Sequence, residues 1–527
     1  MRRYLSTIYL LLNSSIAWAE IQLPAVFSDG AVLQCEADLP VWGWADAGST
    51  VTVQFAGQTA TTTVTDNGTW KLTLQPVAAS YQKHTMRIEV DTESLQLTDI
   101  LVGEVWLCSG QSNMESTLDF LSTNTVDPGF ESVVAFITNE RNTTNDEFLR
   151  HIKVPRKANA ENAELNFNGA WKHASPQNNG QFSAAAYFFG KELRKHLDRP
   201  VGLLNSSWGG KRIEPFIPPS QFGNYDQILE DARERIQNHD AAKAEQDYQQ
   251  VVMTWQEAGS KGRQPRKPAA PSLRSPGLPT SLYNGMIHPL VPYAMRGAIW
   301  YQGEANTRTI PEKYGALLNT LVKGWRQEWQ QGDFPFYFCQ LAAYTAPLSD
   351  PLQNKDPWVT VCHQMFLSTN IPNTGMVVLN DVGQVKDIHP RNKVDVGLRL
   401  SKWALNSTYG LKEIVASGPH YRSYEKRENT IVLTFDHSGS GLMVGKKTLL
   451  EPTQATEEPL GGFQICGEDR EWKWASAKII SNNEVEAFHP SIPQPRAVRY
   501  AWQPNPIHAN LYNQEGLPTS LFSTEAE

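Results

Sequence analysis

Several features are scarce in this sequence, and each scarcity excludes something. Only five cysteines occur in 527 residues: Cys35, Cys108, Cys339, Cys362 and Cys466. Five thiols can close at most two disulfides, so no disulfide framework organises the chain. Cys108 and Cys339 lie in apolar, strand-like runs and are expected to be buried free thiols. Neither Cys-x-x-Cys nor His-Glu-x-x-His is present, so no metal and no cofactor is expected. Long apolar runs are also missing. Leu5 to Ile16 falls short of the ~20 residues a membrane span needs, and nothing later is longer and equally apolar. Basic residues are too few to suit a nucleic-acid partner: 47 Lys and Arg stand against 55 Asp and Glu, a formal charge of −8. No internal repeat is visible.

What is present at the N-terminus reads as an export signal over residues 1–19. Arg2 and Arg3 precede the apolar stretch, and Ala17-Trp-Ala19 is a small-residue cleavage pattern. Cleavage before Glu20 removes two arginines and takes the formal charge from −8 to about −10. The residue directly after the cleavage point is Glu20 and not cysteine, so a lipid anchor is not expected. The expected location is periplasmic or secreted.

The remaining length is too great for one core. Residues 20–100 read as a small β-sandwich. Thr50–Phe55 alternates in polarity, turns recur at Ser28–Gly30, Ala47–Gly48 and Asp66–Gly68, and Val41–Trp44 with Trp70 supply the core. Residues 101–410 alternate between strand-like and helical patterns. Strands are expected at Val102–Leu107, Val201–Leu204, Ala298–Tyr301, Phe336–Gln340 and Met376–Leu379. All are short and continuously apolar, as in strands covered on both faces. Helices are expected at Ala184–Leu197 and Tyr314–Trp329. This is an α/β pattern, a five-stranded parallel sheet wound on both sides. Within it, about 220–280 reads as an insertion: a charged helix from Gln227 to Trp255, then a solvated Pro-, Gly- and Lys/Arg-rich loop. Residues 411–527 return to β patterning.

The stretch Val102–Glu115 organises the rest. A strand breaks at Ser109-Gly110 and hands over to a helical run from Met114. Parallel α/β sheets bind ligands at this strand edge. Ser112 in Gly110-Gln-Ser-Asn-Met114 is the candidate nucleophile, against the plainer reading of a helix-capping serine. The candidate base lies in Asp387-Ile-His-Pro-Arg-Asn-Lys393, beyond the last strand. Pro390 favours extended backbone at His389, and residues two apart in extended chain point the same way. Asp387 is therefore expected to orient His389, with Asp381 or an unassisted Ser-His dyad as alternatives. His288, also followed by proline, is the rival base and is assigned a structural role.

A third block, Ala298-Ile-Trp-Tyr-Gln-Gly-Glu-Ala-Asn306, follows the middle strand. A fourth, Asn205-Ser-Ser-Trp-Gly-Gly-Lys-Arg212, follows the second. An oxyanion needs preorganised donors. The Gln302 amide and the backbone N–H of Gly209 or Gly210 are expected to join the Ser112 N–H. Gln111, Asn113, Trp208, Arg212, Glu304 and Asn306 are the candidate substrate-binding residues. Lys211, Arg308 and Arg391 are further cations for an acidic sugar.

Gly110–Met114, Trp300-Tyr-Gln-Gly-Glu304 and His389–Lys393 together resemble the sialate O-acetylesterase group of the SGNH hydrolases, in the same chain order. That resemblance implies a flavodoxin-like, three-layer parallel sheet and a serine esterase acting on acetylated carbohydrate, with His389 as general base. The family commonly places its aspartate three residues before the histidine. Lys386 stands there here, which leaves the acid open. Acetylated sialic acid and plant polysaccharides such as xylan or xyloglucan both suit the resemblance. The opposing reading is a glycan-binding protein with an inactive hydrolase core. Oligomeric state is not legible.

Overall fold

The computed structural model describes residues 21–123 and 128–525, and the expected export signal lies outside them. Among the described residues an eleven-stranded sheet forms the centre, and seven strands make its main path: β1 Glu93–Gly110, β2 Asp146–Lys153, β3 Lys172–Ala174, β4 Val201–Ser207, β5 Gly297–Tyr301, β6 Phe336–Cys339 and β7 Thr374–Val377. Their order is β7-β6-β5-β1-β4-β2-β3. All pairs are parallel except the antiparallel edge β2-β3.

Side chains alternate between two apolar layers along each strand, as the pleat requires. Val105 and Leu107 face one layer, Trp106 and Cys108 the other. Helices α1 Ser112–Glu115, α2 Ala184–Leu197, α3 Tyr314–Trp329, α4 Pro357–Leu367 and α5 Lys393–Trp403 follow the strands. Residues of α2 and α5 share the layer of Trp106, and residues of α3 and α4 share that of Val105. The fold is therefore mixed α/β with helices on both faces.

The structure differs from the sequence reading in three places. β1 is one continuous strand of 18 residues. Its first half pairs with Val32–Gln34 and Ser80–Val90, its second half with β4 and β5. The boundary expected at residue 100 thus falls inside a strand. Second, β2 and β3 are additional to the five strands expected. The β2 sequence carries buried Arg150 and His151, which hid it. Arg150 is accommodated by Asp99 Oδ1 at 2.9 Å and the Gly30 carbonyl at 2.8 Å, as a buried charge requires. Third, the single helix expected at Gln227–Trp255 is two, Tyr225–Gln237 and Ala241–Glu257. Asp240 caps the second by accepting the N–H groups of Ala242 and Lys243, each at 2.9 Å.

Val41 and Trp70 are buried among the N-terminal strands, where Leu39–Trp44 pairs with Thr69–Leu74. The C-terminal strands grip the loop that leaves β6. Trp474 Nε1 donates to the Ser349 carbonyl at 2.9 Å, Gln503 to that of Asp350 at 3.0 Å, and Asn505 to that of Thr345 at 2.7 Å. All five cysteines are buried and free. No helix among the described residues is long and apolar enough to cross a membrane.

Candidate active site

The parallel register brings three loops to one edge of the sheet. Gly110 at the end of β1 lies beside Ser207 of β4 and Tyr301 of β5. Gly110 has φ +137°, and a Cβ there would sit 2.2 Å from the Tyr301 carbonyl oxygen, so only glycine fits. The chain then turns into α1, and Ser112 is its first residue. A first helical residue has no intrahelical acceptor for its N–H.

Ser112 Oγ lies 2.9 Å from His389 Nε2, and His389 Nδ1 lies 3.0 Å from Asp387 Oδ1. The two bonds define the tautomer: Nδ1–H donates to the carboxylate, and Nε2 accepts from the hydroxyl. Asp387 Oδ1 also accepts the His389 backbone N–H at 2.9 Å. This is an Asx-type turn with a bend at His389, in place of the extended stretch expected. The carboxylate reaches the ring because the chain folds back on it. Burial would raise the Asp387 carboxyl. Its hydrogen bonds to His389, with the charges of His389 and Arg391, outweigh that and hold it below the usual range. Asp381, the alternative acid, is committed elsewhere. Arg399 holds it with two bonds at 2.7 and 2.8 Å, and Tyr512 donates to it at 3.3 Å. His288 Nδ1 is 2.9 Å from the Glu164 carbonyl oxygen and has no part in the relay.

Most of the third block is scaffold, a correction to the sequence reading. Gln302 is fully buried, and its Nε2 is spent on Asn306 Oδ1 at 2.8 Å, the Lys211 carbonyl at 3.1 Å and Gln111 Oε1 at 3.2 Å. It has no donor left for an oxyanion. Gln111 is buried and also accepts the Ala305 N–H at 3.2 Å. Asn306 is buried and bridges the Ile213 N–H at 3.1 Å and Glu214 Oε2 at 3.0 Å. Asn113 donates to Glu304 Oε1 and to the Ile388 carbonyl, and accepts from Lys393 Nζ at 2.8 Å. Gln302, Asn113 and Asn306 offer no amide to a substrate, whereas in Gln111 the engaged atom is Oε1, which accepts from the Gln302 amide and the Ala305 N–H. Glu304 is buried too, its Oε2 lacks a hydrogen-bond partner, and burial pushes its carboxyl up.

The sequence assigns Lys393 no role. It is fully buried, donates to Asn113 and to the Pro390 carbonyl at 2.6 Å, and burial pushes its ammonium down to about 7. With Asn113 it ties α1 to the loop carrying His389. Arg391 is buried, with Nη2 3.5 Å from Asp387 Oδ2 and its guanidinium 5.5 Å from the Phe120 ring. Arg308 is exposed.

The glycine loop after β4 closes the other side. The Trp208 N–H donates to the Gly110 carbonyl at 3.0 Å. A Cβ on Gly209 would lie 3.2 Å from Ser112 Cβ, so the loop is seated on Ser112. The Gly209 N–H is already donated, to Glu115 Oε2 at 2.8 Å, and this corrects its expected place in the oxyanion hole. Gly210, at φ +70°, is exposed. Trp208 is half-buried, with Lys211 Nζ 5.4 Å and the Arg156 guanidinium 5.8 Å from its ring. Burial and the Arg156 charge push the Lys211 ammonium down. Arg212 pairs with Glu214 at 3.4 Å and donates to the Gly277 carbonyl at 3.3 Å. Glu115 and Arg156 were missed in the sequence. Arg156 follows the unrecognised strand β2, so nothing placed it near Ser112. Among the described residues, no group of three or more His, Cys, Asp or Glu is placed to hold a metal ion.

Comparison with known proteins bears on the family. Residues 270–406 match the family described as "SASA: Carbohydrate esterase, sialic acid-specific acetylesterase". A carbohydrate acetylesterase from Xanthomonas citri of known crystal structure is 33% identical. The match covers 96% of this chain and 100% of that one, with a TM-score of 0.77. Sialate O-acetylesterase of Rattus norvegicus is 27% identical over 508 residues, 88% of this chain and 85% of the relative. That of Homo sapiens is 26% identical over 541 residues, 92% and 90% of the two chains. The chain is a carboxylic ester hydrolase and belongs to the sialic acid-specific acetylesterase family of carbohydrate esterases.

Proposed function

We propose that this protein removes O-acetyl groups from carbohydrate through an acetyl-serine intermediate on Ser112. The observation that carries the reading is the continuous relay from Ser112 Oγ to His389 Nε2 and from His389 Nδ1 to Asp387, at 2.9 and 3.0 Å. His389 takes the hydroxyl proton as Oγ attacks the acetyl carbonyl carbon. The tetrahedral oxyanion is held by the backbone N–H groups of Ser112 and Gly210. As the bond between the acetyl carbonyl carbon and the sugar oxygen breaks, Nε2–H protonates the leaving sugar oxygen. Water then attacks the acetyl-enzyme with His389 again as base, releasing acetate and restoring Ser112.

Trp208 and Arg212, half-exposed on the loop beside Ser112, are the substrate contacts retained in this reading. The strand order β4-β1-β5-β6-β7, with β2 added outside β4, supports a flavodoxin-like SGNH core over about 101–410. β-rich regions flank it over 20–100 and 411–527. The pattern at residues 1–19 supports export, which would place the acetylated glycan outside the cytoplasm.

The test is acetate release from O-acetylated sialic acid, acetylated xylan and acetylated xyloglucan, with 4-nitrophenyl acetate as reporter. Mass spectrometry of the quenched enzyme should find the acetyl group on Ser112. Wild-type turnover persisting in Ser112→Ala would end the serine reading. Release from one glycan class alone would identify the substrate.

A further inference from the structure

One charged pair beside the nucleophile has no place in the relay. Glu115 lies three residues after Ser112 on α1, and residues so spaced share a helix face. Its side chain is 11% exposed. Arg156, from the loop beyond β2, grips it with both fork nitrogens, Nε to Oε1 and Nη2 to Oε2, each at 2.6 Å. The same Oε2 accepts the Gly209 N–H at 2.8 Å. A Cβ on Gly209 would lie 3.0 Å from Glu115 Oε2 and 3.2 Å from Ser112 Cβ, so carboxylate, glycine and serine are packed in one line.

Two consequences follow from the chemistry of that arrangement. A hydrogen bond from a backbone N–H to a carboxylate is among the stronger ones, so Glu115 fixes the glycine loop against the serine. A bare carboxylate this close also opposes negative charge developing on the acetyl carbonyl oxygen, because the interaction is Coulombic over a few ångströms. A bidentate guanidinium cancels that charge where it arises.

We propose that Glu115 and Arg156 are positioning residues for the ester hydrolysis. Glu115 anchors the Trp208–Gly210 loop on Ser112 through the Gly209 amide, and Arg156 neutralises Glu115 so that the oxyanion site stays favourable to an anion. The inference rests on the serine-esterase reading above. Neither residue touches the reacting atoms. Both act through the loop and through the field it sits in.

The experiment is a charge cycle, read as kcat and KM on 4-nitrophenyl acetate with Ser112→Ala as control. Arg156→Gln is expected to lower kcat about 10-fold or more, with KM within about threefold of wild type. Adding Glu115→Gln to it removes the stranded carboxylate and should recover most of the loss. A pair that only braces the fold would lose and regain melting temperature in step with activity, because a stranded buried carboxylate also destabilises, so the rescue in kcat is read against melting temperatures that stay near wild type across the cycle. Glu115→Ala gives an independent arm should Arg156→Gln fail to fold. It removes the anchor and should lower kcat, whereas Glu115→Gln keeps an amide oxygen for the Gly209 N–H and should retain more activity. The inference is overturned if Arg156→Gln turns over like wild type, if the double variant is no better than Arg156→Gln, or if Glu115→Ala equals Glu115→Gln. Activity surviving in Ser112→Ala would instead remove the serine reading itself, a distinct outcome.

Discussion

Two loops leave the same edge of one sheet and carry similar polar residues, yet they do opposite work. The loop after β7 delivers Asp387 and His389 to Ser112, and both side chains are 29% exposed. The loop after β5 keeps Gln302, Glu304 and Asn306 at 4% or less. In the first, hydrogen bonds run outward to Ser112. In the second, they run inward to Gln111, Asn113, Glu214 and the Lys211 carbonyl. A reacting group must be reachable, and a supporting group must be satisfied where it is buried. Position at the strand edge is common to both sets. Accessibility separates them.

Removing the reacting groups should give the largest effect. Ser112→Ala or His389→Ala is expected to cost on the order of 10⁴-fold or more in kcat, with melting temperature near wild type. Asp387→Asn comes next, at about 10²–10⁴-fold, because the ring loses the carboxylate that selects its tautomer. Asp381→Asn is its control: a loss of stability with kcat within about tenfold would separate the two acids. Steady-state kinetics and thermal melts on the four variants either uphold the contrast or dissolve it.

Gln302→Ala then probes the supporting loop. It removes three buried hydrogen bonds, to Gln111, Asn306 and the Lys211 carbonyl, at about 0.5–1.5 kcal/mol each. The expected outcome is a clear fall in melting temperature, with kcat of the folded fraction reduced less than about tenfold. A loss of 10²-fold or more in kcat without destabilisation would restore Gln302 as an oxyanion donor.

The smallest effect concerns pH. Lys393 is held down at about 7 in the fold, against about 10.4 for an exposed lysine. Between those values the unfolded chain binds the extra proton, so this group makes the fold more stable as pH rises through that window. The neutral amine still has two N–H bonds for Asn113 and the Pro390 carbonyl. Denaturant melts at about pH 7 and pH 9 should show wild type gaining on Lys393→Met. An unchanged difference would mean that Lys393 is charged, or neutral, throughout.

Part of this was legible along the chain. Ala184–Leu197 and Tyr314–Trp329 are helices over the residues their periodicity marks. Apolar runs mark the five expected strands because burial on both faces leaves no room for polar side chains. Strand β2 escaped because Arg150 finds its partners, Asp99 and Gly30, more than fifty residues away in sequence. The gap between the two helices of the insertion escaped because an N-cap aspartate in a charged run looks like any other acid.

By itself the sequence determined the class of architecture and the four polar blocks, since periodicity and glycine turns act over a few residues. Its resemblance to the sialate O-acetylesterase group, more than local pattern, singled out Ser112 and His389 as the pair to watch. Tertiary structure alone decided which polar residues face the serine and which are spent on each other. It gave Asp387 rather than Asp381 to the histidine, turned the Gln302 amide inward, and brought Arg156 from beyond an unrecognised strand to Glu115. Hydrogen-bond partners are chosen by proximity in space, and residues 277 apart in the chain, such as Ser112 and His389, become neighbours only when the sheet is assembled.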